Sequence, residues 1–136
     1  AEALLIFDDA TAGDPGLKER AERLRKRSGH LLSKMRFVSA QLLAYIKDDL
    51  WLNMARHANA QAAQFARAVA DHQEAELEYS VEANEVFVRW TAEGFRRLED
   101  AGIQFLIWPG GDDLARFVFS HSTQPAETAA LCRALS

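Results

Sequence analysis

The 136-residue chain has one cysteine, four histidines and no apolar run of membrane-spanning length, and each scarcity removes a class of function. Cys132 alone cannot close an internal disulfide, so a reducing, cytosolic setting is expected. No stretch approaches the roughly 20 apolar residues that cross a bilayer. Residues 1–9 hold a short apolar run without a basic leader, so no signal peptide is expected. His30, His57, His72 and His121 lack the i, i+4 pairing and adjoining carboxylates of a zinc site, and no metal is expected. Gly110-Gly111 precedes a strand pattern instead of opening a helix, so it is no phosphate loop. Internal repeats and low-complexity segments are missing too.

What is present is an ordinary globular mix, 49% hydrophobic and 26% charged, which can bury a core. The formal net charge of −4 is unevenly spread. Lys18, Arg20, Arg23, Arg25, Lys26, Arg27, Lys34 and Arg36 face only Glu19 and Glu22, so this stretch carries +6 and the remainder −10. Such a stretch serves nucleic acid, a phosphate-bearing ligand or a solvated helix face. The interleaved aromatics of a single-strand platform are missing, with Phe37 alone nearby, and no nucleic-acid partner is expected.

The apolar run Ala3–Phe7 reads as a strand buried on both faces. A turn over Thr11–Gly16 leads to a basic helix from Leu17 to about Arg27. Met35, Val38, Leu42, Tyr45 and Ile46 recur at helical spacing, and Asp48-Asp49 marks a junction or cap. Trp51, Met54, Ala58, Ala62, Phe65 and Val69 form the stripe of an amphipathic helix. After Asp71 the period changes to two. Leu77, Tyr79 and Val81 alternate with polar residues, and Val86–Trp90 predicts an antiparallel partner strand. A helix over Ala92–Ala101 should stop at Gly102. Strands are predicted at Gln104–Trp108 and Leu114–Ser120, then a terminal helix with Thr123 as N-cap and Pro125 in its first turn. The sum is an α+β fold: helices packed on a small, mainly antiparallel sheet. The first strand, separated from the others by mostly helix, hints at a sheet whose other strands lie elsewhere.

Arg116 is the most informative side chain. It interrupts Leu114-Ala-Arg-Phe-Val-Phe119, where burial of an unpaired charge is very costly. Its planar fork suits a carboxylate; the competing account is an edge-strand arginine whose head reaches water. Arg36 and Lys26 are further cationic candidates for a phosphate or carboxylate, against ordinary surface charge on helices. His57 reads as a polar helix position, His121 as a loop residue and Cys132 as a packing residue. The acidic pairs Asp8-Asp9, Asp48-Asp49 and Asp112-Asp113 read as strand ends, caps and turns.

Five stretches, in order, resemble the C-terminal third of the low-specificity threonine aldolases, within the β-eliminating lyases of fold-type I. They are Ala1-Glu-Ala-Leu-Leu-Ile-Phe7, Arg25-Lys-Arg-Ser-Gly-His-Leu-Leu-Ser-Lys-Met-Arg-Phe37, His57-Ala-Asn59, Val81-Glu-Ala-Asn-Glu-Val-Phe-Val88 and Leu114-Ala-Arg-Phe-Val-Phe-Ser120. The resemblance implies that residues 1–30 end a large cofactor domain, with one strand and a connecting helix. Residues 31–136 would form the C-terminal small domain. It implies pyridoxal 5′-phosphate chemistry in which L-threonine-type β-hydroxy amino acids are cleaved to glycine and an aldehyde. Arg116 would grip the substrate α-carboxylate, and Arg36 and Lys26 match basic positions near the cofactor phosphate or substrate. A homo-oligomer, dimer or tetramer, is implied. The family's Schiff-base lysine sits in a Thr-Lys-Asn context, which Lys18, Lys26, Lys34 and Lys47 all lack. Ser122 stands where the family often has an acidic residue. The chain alone is therefore expected to be inactive, as part of an aldolase or, alternatively, as a non-catalytic small-domain remnant or binding module that dimerises.

Overall fold

The computed structural model describes residues 3–7 and 16–135. They fall into two compact units, residues 1–50 and 51–136.

In the first unit, α1 (Gly16–Arg27) places Glu19 in its first turn and Arg25, Lys26 and Arg27 in its last. That arrangement complements the helix dipole. An Arg23–Glu19 pair bridges one turn on an exposed face, where such pairs contribute little. The helix α2 (Met35–Ile46) buries none of its residues. Asp48 and Asp49 then take left-handed conformations, φ 54° and 56°, and break the chain between α2 and α3 (Leu50–Ala70). The expected junction is there, but built from backbone geometry: short polar side chains tolerate this region best among non-glycine residues. The strand expected at Ala3–Phe7 does not form. Leu4, Leu5 and Phe7 are 72%, 78% and 85% exposed, and a strand without a hydrogen-bonded neighbour has nothing to hold it extended. The turn expected at Thr11–Gly16 lies, Gly16 apart, outside the described residues.

The second unit is the predicted α+β layer. Its sheet has strand order β1-β2-β4-β3, formed by β1 (Glu76–Leu77), β2 (Glu85–Arg89), β3 (Leu106–Ile107) and β4 (Leu114–Val118), all antiparallel. The outer two are shorter than the sequence pattern predicts. Val86, Val88, Ala115 and Phe117 point into the core, where α3, α4 (Ala92–Asp100) and α5 (Pro125–Ala134) supply Ala62, Phe65, Val69, Phe95, Leu98 and Leu131. The α3 stripe is buried from Ala58 onward; Trp51, at its start, is 42% exposed. Phe65 stacks on Phe117 and Phe119 with centroids 4.9 and 5.8 Å away.

The stop signal at Gly102 is obeyed. Gly102 adopts φ 75°, its N–H bonds Glu99 O, and Ile103 N–H reaches back to Leu98 O, closing α4 in a Schellman turn. At its start Thr91 Oγ1 accepts from Gly94 N–H at 3.1 Å. The terminal helix begins one residue later than predicted. Thr123 Oγ1 is taken by Ser120 N–H, so Gln124 becomes the cap and its own N–H bonds the Glu127 carboxylate. Cys132 is half-buried, and burial pushes its thiol up from the ordinary value. Its alkylation in the folded chain should be slower than in urea at the same pH. Stability from this group is complete below the ordinary thiol value and declines as pH rises above it, because the folded form retains the proton longer. Equal alkylation rates folded and unfolded would contradict this.

Candidate functional site

Sheets with helices on one side leave the other side for ligands or partners. Strand alternation decides which residues stand there. Since Val86 and Val88 face the core, Glu85, Phe87 and Arg89 face away. The register Phe87↔Arg116↔Leu106 puts Arg116 on the same open face, mid-sheet.

An aromatic row crosses this face. Tyr79 meets Phe87 edge-on at 5.4 Å between centroids, and Phe87 meets Trp108 edge-on at 5.4 Å. The Arg116 guanidinium lies over the Trp108 ring, 5.0 Å from its centroid. Its Nη2 donates to Glu85 Oε1 at 2.7 Å. The Arg116 side chain is 26% exposed, yet its Nε is buried without a hydrogen-bond partner. Nε and Nη2 make up one edge of the guanidinium fork, the edge that takes a carboxylate through two parallel bonds. Here one half of that edge is filled and the other is empty.

Arg89 supplies the contrast. It too interrupts an apolar strand and faces the same side, so the sequence signal that marks Arg116 marks Arg89 as well. Every part of its fork is engaged: Nε and Nη2 bind Glu78, and Nη1 binds both oxygens of Asp113 at 3.0 and 3.1 Å. Glu78 and Asp113 raise its guanidinium still further above its usual value. Arg89 is a clamp joining the β1 end, β2 and the turn before β4. Arg97 also stacks on a tryptophan, Trp90, and has a buried unpartnered Nε, but it sits on α4, whose Phe95 and Leu98 pack on the core side.

Arg36 and Lys26 belong to the first unit. Arg36 is exposed, its guanidinium 5.1 Å from the Phe37 centroid, and Lys26 is exposed in the last turn of α1. Neither makes an ion pair among the described residues. His57 does more than occupy a polar helix position. Its Nε2–H donates to the Thr123 carbonyl at 2.7 Å and ties α3 to the loop before α5. Asn84, in the Val81–Val88 stretch, donates through Nδ2 to Phe119 O at 2.7 Å and ties the two central strands together past their paired residues. His121 is exposed. Among the described residues no three His, Cys, Asp or Glu gather as for a metal, and no helix is long and apolar enough to cross a membrane.

The chain is 36% identical over 125 residues to a low specificity L-threonine aldolase of a Pseudomonas species, covering 92% of this chain and 34% of that one. It is 35% identical over 132 residues to a protein of the same name from Pseudomonas aeruginosa, covering 97% of this chain and 36% of the relative. The chain is a relative of the threonine aldolases. It thus spans about a third of the length of the curated threonine aldolases it matches. No family profile matches it. All four lysines of this threonine aldolase relative, Lys18, Lys26, Lys34 and Lys47, are exposed.

Proposed function

We propose that this chain is the substrate-carboxylate-binding part of a pyridoxal 5′-phosphate-dependent aldolase that cleaves L-threonine and L-allo-threonine-type β-hydroxy amino acids to glycine and an aldehyde. The observation that carries this reading is the buried, unpartnered Nε of Arg116, on the open sheet face of a chain related to threonine aldolases. A buried donor with no acceptor costs about 1–3 kcal/mol, and an anion with two oxygens removes that cost.

The residues present fit part of such a site. Arg116 offers the fork edge for an α-carboxylate, and Trp108 fixes the plane of that fork. The substrate would be held by its carboxylate end, leaving its Cα–Cβ bond to be oriented by residues outside this chain. Arg36 and Lys26, exposed cations without ionic partners among the described residues, suit a cofactor phosphate. The cofactor, when bound, supplies an electron sink for carbon–carbon cleavage. Its covalent lysine is not among this chain's residues, so residues 1–30 are read as the end of a cofactor domain and 31–136 as the small domain. By this reading the working enzyme is a cytoplasmic homo-oligomer, and the 136 residues alone do not turn over.

The chain should release no acetaldehyde from L-threonine, with or without added pyridoxal 5′-phosphate. Joined to the remaining two-thirds of the Pseudomonas aeruginosa relative, it should restore release. Arg116→Ala in that chimaera should lower kcat/KM on the order of 10²-fold or more, as loss of a charged hydrogen-bonded grip does. A chimaera whose activity ignores Arg116→Ala would sink the assignment. A chain that folds cooperatively yet never completes an active chimaera would favour the binding-module alternative.

A further inference from the structure

We propose that Glu85 is an internal competitor for the substrate carboxylate, holding half of the Arg116 fork until the ligand takes the whole edge. The inference rests on the reading of Arg116 given above. It adds a residue that sets how tightly a carboxylate binds there.

Three features point to it. Glu85 lies on β2 opposite Val118, which puts it diagonally beside Arg116 on the open face, within reach of a long side chain. It contributes one oxygen, to Nη2 at 2.7 Å, while the adjoining Nε remains buried and unpaired. A purely structural partner would be expected to look like Glu78 on Arg89, where both oxygens engage both donors of the corresponding edge. The Glu85 side chain is 38% exposed, so it has solvent to move into when displaced. Trp108 acts as a positioning residue: with its ring under the guanidinium, the fork keeps its orientation whichever carboxylate occupies it.

The exchange is balanced in charge. An incoming carboxylate accepts from Nε and Nη2, and Glu85 withdraws to water. No proton moves. A monoanionic, two-oxygen ligand gains the bond that Glu85 cannot make, whereas a ligand with a single acceptor merely replaces Glu85 one for one. The pair therefore favours carboxylates over single-acceptor anions such as chloride.

The test is titration of the full chain with sodium acetate at constant ionic strength, following the Arg116 Nε–H resonance by NMR. The resonance is assigned from its loss in Arg116→Lys. Glu85→Gln keeps the size of the side chain but gives up the charged competitor, and should tighten acetate binding on the order of tenfold, the worth of one charge-assisted bond. Glu85→Ala should tighten it at least as much. Glu82→Gln, an exposed hairpin glutamate outside the described ion pairs, reports the effect of one fewer negative charge in general and should leave affinity within twofold. Acetate binding unchanged between wild type and both Glu85 variants would overturn the competitor while leaving the carboxylate grip standing. Equal tightening in Glu82→Gln would do the same. No acetate response at Arg116 in any variant would overturn the grip itself and the competitor with it.

Discussion

Phe65→Ala is expected to remove about 3–5 kcal/mol of stability from the 51–136 unit, the usual range for deleting a buried aromatic. Phe65 has no exposed surface and sits where α3 meets the sheet, against the rings of Phe117 and Phe119. Its neighbours one turn away on α3 are Ala62 and Val69, of which Ala62 is too short and Val69, stiff at its branched Cβ, is already packed in the core. The cavity therefore stays open, which places the expected cost toward the upper end. Domains of this size lose roughly 4–8 °C of melting temperature per kcal/mol, so thermal unfolding followed by far-ultraviolet circular dichroism reads the effect directly. A fall of less than about 5 °C would mean that Phe65 is not the centre of this core.

Gly94→Ala is the second large effect, and its sign runs against intuition. Alanine is the better helix former by about 1 kcal/mol, and Gly94 lies inside α4. A Cβ at this position, however, would come within 2.2–2.6 Å of three ring atoms of Trp90. Trp90 is 3% exposed and packs edge-on against Phe95 and His72 at 6.1 and 5.0 Å, so its indole has nowhere to retreat. Overpacking of this kind costs about 1–3 kcal/mol, and with α4 displaced from the sheet the upper end is expected to prevail over the helix gain. Combining Gly94→Ala with Trp90→Phe supplies a check. The smaller ring makes room for the methyl, so the double variant should lose less than the two single losses added together. Strict additivity would show that the indole is not what Gly94 makes room for.

Much of the 51–136 unit was legible because its signals are local. The α3 stripe, the Thr91 and Gly102 boundaries of α4 and the alternation in β2 each depend on residues within a few positions of one another. The missed features depend on pairing. Arg89 and Arg116 look alike in sequence, each an arginine within an apolar strand. What separates them is that Glu78 and Asp113, eleven and 24 positions from Arg89, converge on one fork, while Glu85 reaches only half of the other. Sheet register decides that, and register is a tertiary quantity. The Ala3–Phe7 strand failed for a related reason: its composition states a preference for extended structure, but pairing has to come from other residues. Thr123 carries the sequence signal of the α5 cap, but its hydroxyl suits either task and the Ser120 turn claims it.

The brevity of the two outer strands bears on how this unit can meet other molecules. With β1 and β3 only two residues long, and Pro109 just beyond β3 without an N–H to offer, the sheet presents almost no ladder for an added strand to follow. Among the described residues, this sheet gives amyloid-like stacking or strand exchange between copies little edge to follow. The surface the sheet does offer is its broad side, where the aromatic row and the half-filled arginine already stand.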